Sequence, residues 1–195
     1  AVTRHLVVML KTPEAGRVKT RLGGEIGMVP AAWWFRHQTR RLLRRIEDPR
    51  WQITLAMTPD VKGLKSRQYP SHFPRIPQGD GNLGDRMARI FRSMPTGPVC
   101  IIGGDIPGIQ PHHIHRAFQI LGSNDAVFGP AMDGGYWLVG LKHPSRVPPS
   151  FLQNVRWSTE HARADSIASI PDMRVALADR LQDVDTADDL QSLSR

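Results

Sequence analysis

A single cysteine, Cys100, leaves this 195-residue chain unable to form an internal disulfide, which fits a reducing compartment. No apolar run reaches the roughly 18 residues of a membrane-spanning helix. No charged segment followed by a long apolar stretch marks a secretory signal, so the cytoplasm is the expected location. Acidic side chains are in deficit. Against 26 Lys and Arg stand 18 Asp and Glu, a net charge of +8. Such a balance favours anionic partners without choosing among phosphates, nucleotides, nucleic acid and anionic lipid. Glycine and lysine fall neither in Walker A spacing nor as G-x-G-x-x-G. The histidines, with His112, His113 and His115 bunched together, lack metal-ligand spacing and are expected to lie exposed at a helix start. Neither a Ser-His-Asp nor a Cys-His arrangement is present, nor an internal repeat or a linker.

What is present is a globular composition, 40% hydrophobic and 23% charged, long enough for one domain spanning residues 1–195. Short apolar runs at 6–10, 53–57, 99–102, 126–128 and 136–141 read as buried strands, with 174–177 as a last one. Helical patterns lie between them. One runs from Pro30 to Ile46, and one follows an Asn82 cap and carries Leu83, Met87, Ile90, Phe91 and Met94. Another opens at Pro111 and closes at Gly122. A fourth has Ser158 as its cap, and Ala187 to Leu193 forms a short last helix. Residues 60–80 read as loop with one short strand. Strands alternating with helices predict an α/β sandwich with a mostly parallel sheet. Arg36, Arg40, Arg41, Arg44, Arg45 and Arg50 cluster on and beyond the first helix. The pattern reads as a solvated face. No stacking aromatics accompany it, so nucleic acid is not the expected partner. Trp33 and Trp34, adjacent on the same helix, mark a candidate homodimer interface.

Val99-Cys100-Ile101-Ile102-Gly103-Gly104-Asp105 organises the chain. A buried strand ends in two residues without side-chain bulk and then one carboxylate. In open α/β sheets ligands bind beyond the carboxyl ends of the strands, where Asp105 would stand. After the first strand comes a loop with Lys11, Gly16, Arg17, Lys19 and Arg21, a setting in which backbone N–H groups and cations hold phosphate. A hard cation such as Mg²⁺ takes one or two carboxylates plus substrate phosphate oxygens. Asp105 and Asp185 are the candidate pair. Asp185 also reads as a helix cap, and Asp133 as the turn residue before Gly134 and Gly135.

At these residues the chain resembles a family. The segment from Lys11 through Leu22 is similar to the opening signature of the radical-SAM/selenodomain-associated transferases, a bacterial domain of unknown function with a glycosyltransferase-A-type fold. Further matches are Gly81 to Met87, Gly104 to Pro107, Gly129-Pro130, Asp133 to Leu141, Trp157-Ser158-Thr159 and Asp183 to Thr186. Gly104 stands where that family more often has Thr, and Ile106 where it often has Cys. The resemblance implies a Rossmann-like, nucleotide-diphospho-sugar transferase fold, related to the guanylyltransferases of molybdenum cofactor and of phospholactate. It implies that Lys19 holds phosphate, that Asp105 and Asp185 bind Mg²⁺ or Mn²⁺, and that Gln78 and Gly79 contact the base. Gly104, Asp133, Gly134 and Gly135 fall within matched substrate-site segments.

Three functions follow as expectations. The first is Mg²⁺-dependent nucleotidyl transfer from a nucleoside triphosphate to a small phosphorylated or hydroxyl acceptor, with Lys19 and Asp105 catalytic. The second is glycosyl transfer from a nucleotide sugar. Such enzymes commonly carry Asp-x-Asp after the central strand, whereas here that place reads Gly103-Gly104-Asp105. The third is non-catalytic binding of nucleotide or RNA.

Overall fold

Strands β1 (His5–Lys11) and β4 (Val99–Gly103) pair in parallel at the middle of the sheet, Leu6 opposite Cys100 and Val8 opposite Ile102. A computed structural model describes residues 2–12 and 28–181. The remaining strands are β2 (Gln52–Thr58), β3 (Arg75–Pro77), β5 (Ala126–Pro130), β6 (Tyr136–Leu141) and β7 (Val175–Leu177). They form a seven-stranded sheet in the order β3-β2-β1-β4-β6-β5-β7. Every pairing is parallel except those of β6, which runs antiparallel to both β4 and β5.

The strands read as unbroken apolar runs because both faces of the sheet are covered. Alternate residues go to opposite sides. Leu6, Val8, Leu10, Cys100 and Ile102 pack on one face with helices α1 (Met28–Ile46) and α4 (Pro111–Leu121), through Leu42, Leu43, Ile46, Ile114 and Phe118. Val7, Val99, Ile101 and Val139 pack on the other face. There they meet Met87, Ile90 and Phe91 of α3 (Leu83–Ser93) and Phe151, Leu152 and Ile170. Each such fully buried Leu, Ile or Phe contributes about 1.5–3 kcal/mol. Cys100 is buried within β4, and burial pushes its thiol far up.

Several local expectations need correction. Residues 60–80 hold a helix, α2 (Asp60–Lys65), as well as β3. Buried Gly63 in its middle lets α2 lie against Met57, where any Cβ would collide. Ser158 is no helix cap. It sits in a turn with φ 59°, and helix α5 (Ala162–Ala168) begins after His161. Asn82 does cap α3, in a reciprocal box with Asp85: Asp85 N–H donates to Asn82 Oδ1 (2.8 Å) and Asn82 N–H to Asp85 Oδ2 (3.1 Å). Leu83, expected on the apolar side of α3, is exposed. His112 is exposed as expected, but His113 and His115 are half-buried. The helix expected at 187–193 lies outside the described residues. Among the described residues no helix is long and apolar enough to cross a membrane.

Candidate active site

From β1 the chain steps outward through α1, β2, α2 and β3. It then returns through α3, on the opposite face, to β4 on the other side of β1. The crossover through α1 to β2 and the crossover through α3 to β4 thus run on opposite faces and to opposite sides of β1, so the strand order switches direction between β1 and β4, and a crevice opens at their carboxyl ends. A cleft of about 740 Å³ lies there. Its walls come from Met9 to Lys11 of β1, Ile101 to Asp105 at the end of β4 and just beyond it, Tyr136 to Val139 of β6, and Gln78, Gly81 and Arg86 around the start of α3.

Asp105 is held between two buried neighbours, Gly104 and Ile106. Gly104 packs so closely on Leu10 that a Cβ would overlap Leu10 Cδ2. Its carbonyl accepts a hydrogen bond from the buried Thr39 hydroxyl (3.1 Å). After Ile106 the loop is fixed from α1: Arg45 donates to Pro107 O (2.7 Å) and Ile109 O (2.9 Å). Burial, and then the charge of Arg41, lower the Arg45 pKa from its ordinary value. The supposed solvated arginine face is thus partly structural, since Arg40 also donates to Gln68 O. The Asp105 carboxylate faces the cleft above Gly103, where an added Cβ would stand 3.1 Å from Asp105 Oδ1. Small residues here keep the carboxylate's surroundings open.

Across the cleft, Gln78 is buried. Its amide donates to Leu10 O (3.2 Å) and Ala56 O (2.9 Å), tying the ends of β1 and β2 together. Both amide hydrogens are therefore engaged by main chain. Its Oε1 accepts from Arg86 Nη1 (3.3 Å), and Arg86 Nε donates to Gly81 O (3.0 Å). Arg89 straps the same loop through Gln78 O (2.7 Å) and Asp80 O (3.0 Å). Gly79 follows with φ 76°, its N–H on Asp60 Oδ1 (3.1 Å).

The wall formed by β6 is equally fixed. Tyr136 donates to Ser166 Oγ (3.1 Å), whose own proton goes to Ala162 O (2.7 Å). Burial pushes the Tyr136 phenol far above its ordinary pKa, against the opposing effect of that hydrogen bond. Trp137 Nε1 donates to Asp179 O (2.7 Å), and the Asp179 carboxylate takes Arg116 of α4 (2.7 Å). His113 packs edge-on to Trp137, with its pKa lowered chiefly by burial. Beyond β7 the chain continues beside β5: Ala178 N–H donates to Phe128 O (2.8 Å) and Leu181 N–H to Pro130 O (3.0 Å). Residue 181 thus lies at the carboxyl edge of the sheet, four residues before Asp185 in sequence.

Of the residues expected in the site, Lys11, Gln78, Gly104 and Asp105 line this one cleft. Asp133, Gly134 and Gly135 do not line it; they make the turn into β6. Asp133 Oδ1 accepts from Gly135 N–H (2.9 Å), and Gly134 (φ 88°) packs so tightly on the Glu160 backbone that no Cβ would fit. Gly16, Arg17, Lys19, Arg21 and Asp185 lie outside the described residues. Arg86, Phe35, Tyr136 and Trp137 line the cleft without having been expected to. Three of them, Arg86, Tyr136 and Trp137, stand inside motifs quoted above, yet nothing in the spacing assigns them a role.

A family model described as an uncharacterized protein conserved in bacteria (DUF2064) matches residues 42–159, more than half of the chain. The chain belongs to this family. No curated protein matches the DUF2064 chain. Among solved structures it is similar, at 28% identity and TM-score 0.89, to a Desulfovibrio desulfuricans G20 protein provisionally designated a nucleotide-diphospho-sugar transferase. That match covers all of this chain and 87% of the other. At 10% identity it superimposes on 4-diphosphocytidyl-2C-methyl-D-erythritol synthase from Anaerococcus prevotii, with TM-score 0.61 and coverage of 100% and 99%. It also superimposes, at 10% identity, on glucosyl-3-phosphoglycerate synthase from Mycobacterium tuberculosis, solved with Mn²⁺, uridine diphosphate and glucosyl-3-phosphoglycerate. There the TM-score is 0.56 and coverage 100% and 77%. The DUF2064 chain thus has the nucleotide-diphospho-sugar transferase type of α/β fold.

Proposed function

We propose that the chain, as one domain over residues 1–195, is a Mg²⁺- or Mn²⁺-dependent transferase acting on a nucleotide. The reaction read here is nucleotidyl transfer from a nucleoside triphosphate to a small phosphorylated or hydroxyl acceptor. The observation that carries the reading is Asp105, between two buried neighbours at the switch-point cleft, with Lys11 and Arg86 among the cleft's lining residues. Its oxygen donors suit a hard cation, which needs one or two carboxylates and completes its shell with phosphate oxygens. Asp105, with Asp185, would hold the ion.

When bound, the cation would neutralise charge developing on the transferring phosphoryl group. The rest falls to the chain's own groups. Lys19, Arg17 and Arg21, with Lys11 and Gly16, would hold the triphosphate in line, an electrostatic and positioning role. Gln78 and Gly79 would border the base. An acceptor oxygen attacks the α-phosphorus, a P–O bond forms, and pyrophosphate leaves with the electron pair of the broken P–O bond; a hydroxyl acceptor gives up its proton to solvent or to the leaving pyrophosphate. No covalent protein intermediate is required.

The 28%-identical relative's designation favours a second reading, glycosyl transfer from a nucleotide sugar. Against it stands the lone Asp105 where an Asp-x-Asp pair is expected. Thermal shifts with nucleoside triphosphates and nucleotide sugars, each with and without Mg²⁺, separate the two. A ligand at about 100 times its dissociation constant adds roughly 2.7 kcal/mol. A Mg²⁺-dependent shift with one triphosphate supports nucleotidyl transfer, and a shift confined to a nucleotide sugar supports glycosyl transfer. No shift with any ligand contradicts both.

A further inference from the structure

A second concavity, of about 860 Å³, lies between α1 and the segment from Leu64 to Arg75. Five of its lining residues are cationic (Arg40, Arg44, Lys65, Arg67 and Arg75), and none of its described lining residues is acidic. Among the described residues no carboxylate pairs with any of the five. Arg75 and Arg40 are half-buried and build the wall. Arg75 donates to Gly63 O (3.1 Å), Ser66 O (2.7 Å) and Tyr69 O (2.9 Å), and Arg40 to Gln68 O. Carbonyl oxygens bring no formal charge, so the positive charge of this wall is not cancelled. Arg44, Lys65 and Arg67 are exposed around it. The Tyr69 hydroxyl donates to Lys11 O (3.1 Å), so Tyr69 lines this concavity while bonded to a residue that lines the first cleft.

We propose that this second cleft binds a small molecule bearing two or more phosphate groups, independently of the cleft at Asp105. Its size lies within the range of about 300–1,000 Å³ common for small-ligand sites. Several like charges converging on one hollow repel each other unless a multivalent anion sits among them. Arginine forks match phosphate oxygens in pairs. The cations come from two segments that wall one hollow, a shape suited to a compact anion. A nucleic-acid surface would instead extend the charge along the helix, yet exposed Arg41 stays out of this cleft.

The test is calorimetric titration of inorganic tripolyphosphate, with chelator present so that no metal contributes. The expected result is binding weakened by about tenfold or more in Arg44→Glu/Arg67→Glu, a loss of charge-assisted contacts. The charge-matched Arg41→Glu/Arg146→Glu control and the first-cleft variant Lys11→Glu keep it. Equal weakening in the control means bulk electrostatics alone and overturns the proposal, as does unchanged binding in Arg44→Glu/Arg67→Glu. Loss in Lys11→Glu, which reverses a cation of the first cleft, puts the phosphate there and overturns it too. Tighter binding of a short single-stranded RNA through the same arginines overturns the small-ligand assignment. Should the first double variant fail to fold, Lys65→Glu/Arg67→Glu, both at exposed positions, replaces it with the same expectations.

Discussion

Leu10 fills the space that a side chain on Gly104 would need. The last turn of β1 thereby fixes the backbone from which Asp105 emerges. Gly104→Thr, the residue the family resemblance would put there, should destabilise the chain by about 1–3 kcal/mol through overpacking. Leu10→Ala alone should also destabilise it, by leaving a cavity. The double variant should lose less than the sum, because the threonine enters the space vacated. Urea denaturation of the four forms measures the coupling, and simple additivity would mean that the two residues do not compete for one space.

Arg45 acts on Asp105 from a distance, as a positioning residue. Arg45→Ala frees Pro107 O and Ile109 O and should cost about 1–3 kcal/mol. Arg45→Lys should not restore it, because one ammonium cannot reproduce the fork. A thermal melt reads both variants. An Arg45→Ala melt equal to wild type would show that the loop after Asp105 holds itself.

Gln78 bridges two strand ends with its amide hydrogens. Gln78→Glu keeps the shape, loses both donors and faces two carbonyls with a carboxylate, so it should destabilise more than Gln78→Met. Each unsatisfied buried acceptor costs about 1–3 kcal/mol. Chemical denaturation of the two variants gives the order. Equal losses would point to packing alone.

Asp165 receives Arg156 through its main-chain N–H (2.9 Å), Nε (2.9 Å) and Nη2 (3.0 Å). The Arg156 side chain and backbone hydrogen bonds pull the carboxyl pKa down to about 2. A depressed carboxylate stabilises the fold above its unfolded pKa, about 3.9, and that contribution disappears as pH falls through about 2. Carboxyl NMR titration should show the low value in wild type and an upward shift in Arg156→Ala. An ordinary value in wild type would mean that the pair is not formed in solution.

Much of the architecture was legible because the strands are buried on both faces and so stand out as apolar runs. The reversal of β6 was also within reach. Only five residues separate Pro130 from Tyr136, too few for a parallel crossover of about a dozen or more. Helix α2 was not legible, because Gly63 sits in its middle and its position is set by packing on Met57. Asp105 announced itself through the two glycines before it. The cleft residue Arg86 did not, since its role appears only when the loop from Gln78 to Gly81 folds back on α3.

The most direct measurement is titration of the responding nucleotide into wild type and Asp105→Asn, each with and without Mg²⁺. Mg²⁺ should strengthen binding in wild type and no longer do so in Asp105→Asn, while the variant's melt stays close to wild type. An undiminished Mg²⁺ response in Asp105→Asn would contradict the assignment of this carboxylate, and with it the proposed site.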